Sequence, residues 1–114
     1  MPVLAVVDDL LFRSKIEAVA SQAGVPVVFT SAGRPMSEVS GAAYHAILID
    51  LNASGGDPIA TIQALRQAVP SAVLVGFCSH VETDLQARAR EAGCSLVLPR
   101  SVFVQRLPQL LTGA

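Results

Sequence analysis

Three short runs of this chain carry no polar side chain until they end: residues 3–7 (VLAVV), residues 46–49 (AILI, closing on Asp50) and residues 73–77 (VLVGF). A strand with one face in water alternates apolar and polar residues. A strand that is apolar throughout must be covered on both faces, which is the situation in a parallel sheet held between two helical layers. Between these runs lie helical patterns. Residues 11–23 place Phe12, Ile16, Val19, Ala20 and Ala23 on one face, and Gly24 follows where a left-handed C-terminal residue is expected. A second strand is expected at residues 25–29, a turn-rich loop at 30–35, and a weak helix at 37–44 interrupted by Gly41. Asp57 and Pro58 form a helix start, a capping carboxylate followed by proline, for a helix over 59–69 that Pro70 ends. Ser79 and Glu82 have capping-box spacing and open a helix that closes at Gly93. A fifth strand over 96–98 and a last helix over 101–111, disturbed by Pro108, complete the chain. Strict alternation of strand and helix predicts an α/β fold, a doubly wound five-stranded parallel sheet with right-handed crossovers; the order expected for it is 2-1-3-4-5, which alternation alone does not decide.

The 114 residues read as one domain over 1–114, with 52% hydrophobic and 15% charged residues. Such a chain can bury enough apolar surface to fold without staples. Its apolar excess leaves surface for a partner. The net charge is −1 and no run of Lys or Arg is present, so no nucleic-acid partner is expected. Every apolar run is broken within a few residues, so no membrane span is expected, and the acidic N-terminus does not read as a signal peptide. The expected location is the cytoplasm. Cys78 and Cys94 fit no metal or redox spacing and are expected to be reduced thiols.

In a sheet of this kind, chemistry gathers beyond the carboxyl ends of the strands. The polar residues there are Asp8 and Asp9 after the first strand, Asp50 and Asn52 at the third, Cys78, Ser79 and His80 after the fourth, and Arg100 after the fifth. Strands one and three are neighbours, so the three carboxylates converge. Two charges about 4 Å apart repel by on the order of 4 kcal/mol at an effective dielectric of about 20. Protons or a cation must relieve this, and Mg2+ suits the all-oxygen donors. Arg100 adds a fixed positive charge. No glycine-rich phosphate cradle follows the first strand, which disfavours a flavin or nucleotide. Plainer roles stand beside these. Asp8 and Asp9 can cap the first helix, Asp57 caps its own, Ser79 serves its capping box, and His80 is a solvated loop residue. Cys78 reads equally as a small buried residue, and Arg100 as a surface residue.

At these residues the chain resembles the receiver domain of response regulators, the phosphoacceptor module of two-component signalling. The resemblance covers essentially the whole chain, and the expected strand order rests on it as well as on the pattern. VVDD sets Asp8 and Asp9 at the family's acidic pair, and ILIDLN sets Asp50 at the phosphoacceptor and Asn52 at the residue whose main-chain carbonyl helps bind the metal. Counting back from AGCS puts Cys78 at the usual Thr or Ser; VLPRS puts Arg100 at the usual Lys, Val97 at the usual aromatic switch and Ser101 where proline is usual. The resemblance implies a phosphoacceptor rather than an enzyme acting on a separate substrate. Asp50 would take a phosphoryl group with Mg2+ held by Asp8, Asp9, Asp50 and Asn52, while Arg100 and Cys78 complete the site. It also implies a histidine kinase or phosphotransfer protein as donor and a protein partner downstream. No output domain is expected after the last helix, so output is expected through that partner or through a homodimer formed by the fourth and fifth predicted helices. The departures at Cys78, Val97, Arg100 and Ser101 leave a second reading, a pseudo-receiver that binds a protein partner independently of phosphorylation.

Overall fold

The computed structural model describes residues 2–31, 44–52, 57–79 and 81–113. The strands are β1 (Val3–Val6), β2 (Val27–Thr30), β3 (Ala46–Asp50), β4 (Val73–Cys78) and β5 (Leu96–Pro99). The described helices are α1 (Leu10–Ala23), α2 (Pro58–Ala68), α3 (Thr83–Ala92) and α4 (Arg100–Thr112). The strands form one sheet in the expected order β2-β1-β3-β4-β5, and it is parallel throughout, as the alternation predicts. The weak helix expected over 37–44 lies outside the described residues except for Tyr44, which is buried.

The apolar strands are explained by two buried layers. Val3, Ala5 and Val7 of the first strand and its extension, with Leu48, Val75, Phe77 and Leu98, pack under Ile16 and Ala20 of α1 and Phe103, Leu107 and Leu111 of α4. Leu4, Val6, Ile47, Ile49, Leu74 and Val97 point the other way, against Ile62 and Leu65 of α2 and Ala89 of α3. Successive residues of a strand face opposite sides, so each strand serves both layers.

Local chemistry sets the helix ends. Asp57 Oδ1 accepts from the Ile59 N–H at 3.0 Å, and Pro58 opens α2 as expected. Gly24 ends α1 at φ 70°, a left-handed conformation that costs glycine little. The Val25 N–H closes that turn on the Ala20 carbonyl at 3.0 Å, so β2 starts at Val27 rather than 25. Pro108 lies within α4, and the helix runs on through it to Thr112 on its exposed side. The capping box predicted at Ser79 does not form. Helix α3 begins at Thr83 with Glu82 as its N-cap residue and no side-chain capping bond, because the Glu82 carboxylate reaches across to Asn52 instead. No helix is long and apolar enough to cross a membrane among the described residues.

Candidate functional site

The carboxyl ends of β1, β3, β4 and β5 open on the same side of the sheet, as in any all-parallel arrangement, and the polar residues named from the sequence collect there. Asp50 is the last residue of β3, in register with Phe77, and is only 7% exposed. Its Oδ1 accepts from the Asn52 main-chain N–H at 2.9 Å and from Arg100 Nη2 at 3.4 Å. Loss of hydration raises its pKa above the usual 3.8; the Asn52 N–H and Arg100 oppose the rise, and the negative charges of Asp9 and Asp8 add to it. Asp8 and Asp9, just after the neighbouring strand β1, thus act on Asp50 only weakly beside the loss of hydration.

Asp9 carries a second duty. It is the N-cap residue of α1, and its Oδ1 accepts from the Leu11 N–H at 2.9 Å and the Phe12 N–H at 3.2 Å. One oxygen is thus committed to the helix, the plainer of the two roles weighed for it. Asp8 is half-buried beside it.

Arg100 opens α4, where a cation opposes the helix dipole. Asp50 offsets that cost, and two aromatic faces hold the guanidinium: its central carbon lies 5.1 Å from the Phe12 ring and 5.4 Å from the Phe77 ring. Phe77 stacks in turn on Phe12 at 5.0 Å and on Phe103 at 4.2 Å. Arg100 therefore fills both roles weighed for it, since it pairs with Asp50 while staying 38% exposed. The seating on Phe12 and Phe77 was not readable from sequence, where Phe12 is one more apolar residue of a helix face. A groove of about 500 Å³ opens beside it, lined by Phe12, Lys15, Ser79, Arg100 and Val104 among others.

Cys78 ends β4 fully buried, in the layer under α2 and α3. Burial pushes its thiol pKa up, and the nearby Gln86 side chain and Arg100 charge oppose the rise; Gln86 Nε2 donates to the Ser79 carbonyl at 3.4 Å. Val97 is buried in the same layer. Asn52 makes contacts that sequence reasoning missed: its Oδ1 accepts from the Ser79 N–H at 3.0 Å and its Nδ2 donates to Glu82. No spacing rule signals a pair of residues 30 positions apart. His80 lies outside the described residues.

Among the described residues no three His, Cys, Asp or Glu side chains converge as a metal cage. The donor set is nevertheless all oxygen. Mg2+ asks for only one or two carboxylates, with water and phosphate oxygens completing its shell. Asp50 at the end of β3 and Asp8 and Asp9 just after the neighbouring β1 offer carboxylate oxygens of that kind, so the chemistry of the donor set fits such an ion.

No family model matches the chain, and no curated protein matches it. Solved structures do. The chemotaxis response regulator CheY4 of Vibrio cholerae is similar at a TM-score of 0.84 and 18% identity, over 98% of this chain and 96% of that one. A response regulator from Burkholderia pseudomallei, with a phosphorylated aspartic acid, a calcium ion and citrate, is similar at 0.84 and 15% identity. The match covers 96% of this chain, which spans 65% of that protein's chain. RcsB from Salmonella enterica serovar Typhimurium, bound to promoter rprA in the presence of a phosphomimetic, is similar at 0.79 and 17% identity, over 99% of this chain and 67% of that one. The fold is that of response-regulator receiver domains. RcsB is bound to a promoter, so the expectation that nucleic acid plays no part gains no support from the likeness.

The apolar surface expected over the fourth and fifth predicted helices, α3 and α4 here, is largely absorbed. Phe103, Leu107 and Leu111 are buried, and Val102, Val104 and Leu110 pack against them. Among the described residues the most exposed large apolar side chains are Leu10 and Leu11 at the start of α1, at 75% and 85%, and Val81 just before α3, at 70%.

Proposed function

We propose that this chain is a receiver that accepts a phosphoryl group on Asp50, with Mg2+ as its cation, and signals through a protein partner. The observation that carries the reading is the state of Asp50. It is a nearly buried carboxylate at the end of a central strand, and one oxygen is held from two directions by the Asn52 N–H and Arg100. No described residue hydrogen-bonds the other oxygen, Oδ2, and among the described residues no fully buried side-chain oxygen lacks a partner. Oδ2 is therefore the oxygen that meets solvent, and it is the nucleophile.

The chemistry is a transfer, with one bond made and one broken. Oδ2 bonds to phosphorus as the bond from phosphorus to the donor breaks, and the bonding pair leaves on the donor. A donor imidazole leaves as the free ring, and an acyl phosphate as the carboxylate. Asp8, Asp9 and Asp50 would hold Mg2+, with the Asn52 carbonyl as a further ligand. Bound there, the ion supplies the positive charge that the crowded acids and the transferring oxygens require. Arg100 stands ready as a hydrogen-bonding cation on the opposite side of Asp50, held in place by Phe12 and Phe77. Its planar fork differs from the ammonium usual at that position. Cys78 contributes little to gripping the phosphoryl group: its thiol is a weak donor and its side chain is fully buried. A histidine kinase or phosphotransfer protein is the expected donor.

Intact-protein mass after incubation with acetyl phosphate tests the reading. The expected result is a single phosphoryl adduct that requires Mg2+ and is absent from Asp50→Asn. A folded protein that takes neither adduct nor Mg2+ would instead make the chain a pseudo-receiver.

A further inference from the structure

Asn52 is bonded to both sides of the mouth of the sheet. Its main-chain N–H holds Asp50 Oδ1 at 2.9 Å. Its side chain spans to the connection between β4 and α3, where Oδ1 accepts from the Ser79 N–H at 3.0 Å and Nδ2 donates to the Glu82 carboxylate. The amide has one workable orientation. Turned over, it would set two donors face to face at Ser79 and two acceptors face to face at Glu82. Ser79 and Glu82 bracket that connection and close on each other through a Glu82 N–H to Ser79 carbonyl bond of 3.2 Å. Glu82 is the residue on which α3 starts, yet its carboxylate caps nothing in its own helix. The Glu82 carbonyl accepts the Gln86 N–H at 3.1 Å, so the first turn of α3 hangs from the residue that Asn52 grips.

We propose that Asn52 is a positioning residue, a strut that carries a change of charge at Asp50 into the first turn of α3. Other routes into that helix are poorly suited. The Cys78 side chain is fully buried and its thiol is a weak donor, and Val97 is a buried aliphatic residue with no ring to rotate. The phosphoacceptor reading supplies the event that would change Asp50 in the cell. A phosphoryl group on Oδ2 would leave Oδ1 a neutral carbonyl oxygen, and the strut responds to any such loss of charge on Oδ1, so it can be tested without phosphorylation.

The experiment is amide hydrogen exchange on the full chain, read at Gln86, in four proteins: parent, Asp50→Asn, Asn52→Ala, and the double variant. Asn52 is exposed and Asp50→Asn replaces the nearly buried carboxylate with a side chain of the same shape, so none of these variants opens the core. A neutral amide at position 50 holds the Asn52 N–H more weakly than a carboxylate does. Exchange at Gln86 should therefore rise about fivefold in Asp50→Asn, the change one hydrogen bond makes in an opening equilibrium. In the Asn52→Ala background the same Asp50→Asn change should leave Gln86 unmoved. Glu82→Gln keeps an acceptor for Nδ2 and should preserve the response, whereas Glu82→Ala should lose it. A Gln86 rate indifferent to position 50 in the parent, or a response that survives Asn52→Ala, would overturn the strut. Mass analysis of the acetyl phosphate reaction is read separately, so a failure to phosphorylate would count against the phosphoacceptor and leave this result standing.

Discussion

Asp50 loses most of its hydration at the end of β3 and feels Asp8 and Asp9 across the pocket. A carboxyl whose pKa is higher folded than unfolded makes the native state the better proton binder. Stability then falls as pH rises from the unfolded value, near 3.8, through the raised folded value, and the deficit is complete above both. Asp50→Asn removes the charge and keeps an oxygen for the Asn52 N–H. It should unfold at higher urea than the parent near neutral pH, with the gap closing as pH approaches 4; urea melts at the two pH values check this. A variant less stable than the parent at neutral pH would mean that the Arg100 pair outweighs the desolvation. At this scale the sequence tells which residues stand at the strand ends, since an apolar run that stops on an acid marks its own end. It does not tell how each is used. Asp9 was legible both as a cap and as a pocket acid, and its contacts show the cap. The side-chain contacts of Asn52 depend on how two loops far apart in sequence approach each other, which no local pattern encodes.

The elements are tied together at the opposite end of the molecule by one side chain. Arg66 of α2 bonds through Nε and Nη2 to the Gly93 carbonyl at 3.1 and 2.7 Å, and through Nη1 to the carbonyls of Pro70 and Ala72 at 2.9 and 2.8 Å. The C-terminal ends of α2 and α3 and the entry to β4 thus share a single guanidinium. Gly93, at φ 136°, makes this possible, since a Cβ there would stand 3.2 Å from Arg66 Cβ and Cγ. Arg66→Ala should cost about 1–3 kcal/mol, because it leaves carbonyls without partners, and Arg66→Lys should recover part of that. Urea denaturation measures both; equal stability of parent and Arg66→Ala would show that water replaces the bonds. The local devices at this scale were legible: Asp57 with Pro58, Gly24 and Gly93 act within one turn of where they stand. The Ser79–Glu82 spacing was legible too, but misled, because Asn52 competes for the same carboxylate and wins it.

For the molecule as a whole, the two covered faces followed from runs without polar side chains, because only a sheet buried on both sides accommodates them, whereas the order of the strands rested on the family resemblance as well as on the pattern. What stayed hidden was where the leftover apolar surface would fall. The stripe on α4 closes onto the sheet, while Leu10 and Leu11 remain outside. Both cysteines belong to the layer beneath α2 and α3. Burial pushes the Cys94 thiol up to about 11 and raises that of Cys78. Alkylation at pH about 8 should therefore be slow in the native protein and should proceed at both thiols together as urea unfolds it, which peptide mass mapping reads. Early labelling of Cys78 alone would show that the β4 end opens on its own.

The layered core also separates what may vary from what may not. Asp8, Asn52, Ser79 and Arg100 stand outside the two apolar layers, so these positions can change with the core left alone, whereas a change at Asp9 also uncaps α1. Cys78 differs from them, a rim position whose side chain belongs to the interior. A hydroxyl placed there must find a partner within an apolar layer as well as serve the pocket, so there, as at the nearly buried Asp50, a change in the chemistry of the pocket is also a change in the interior.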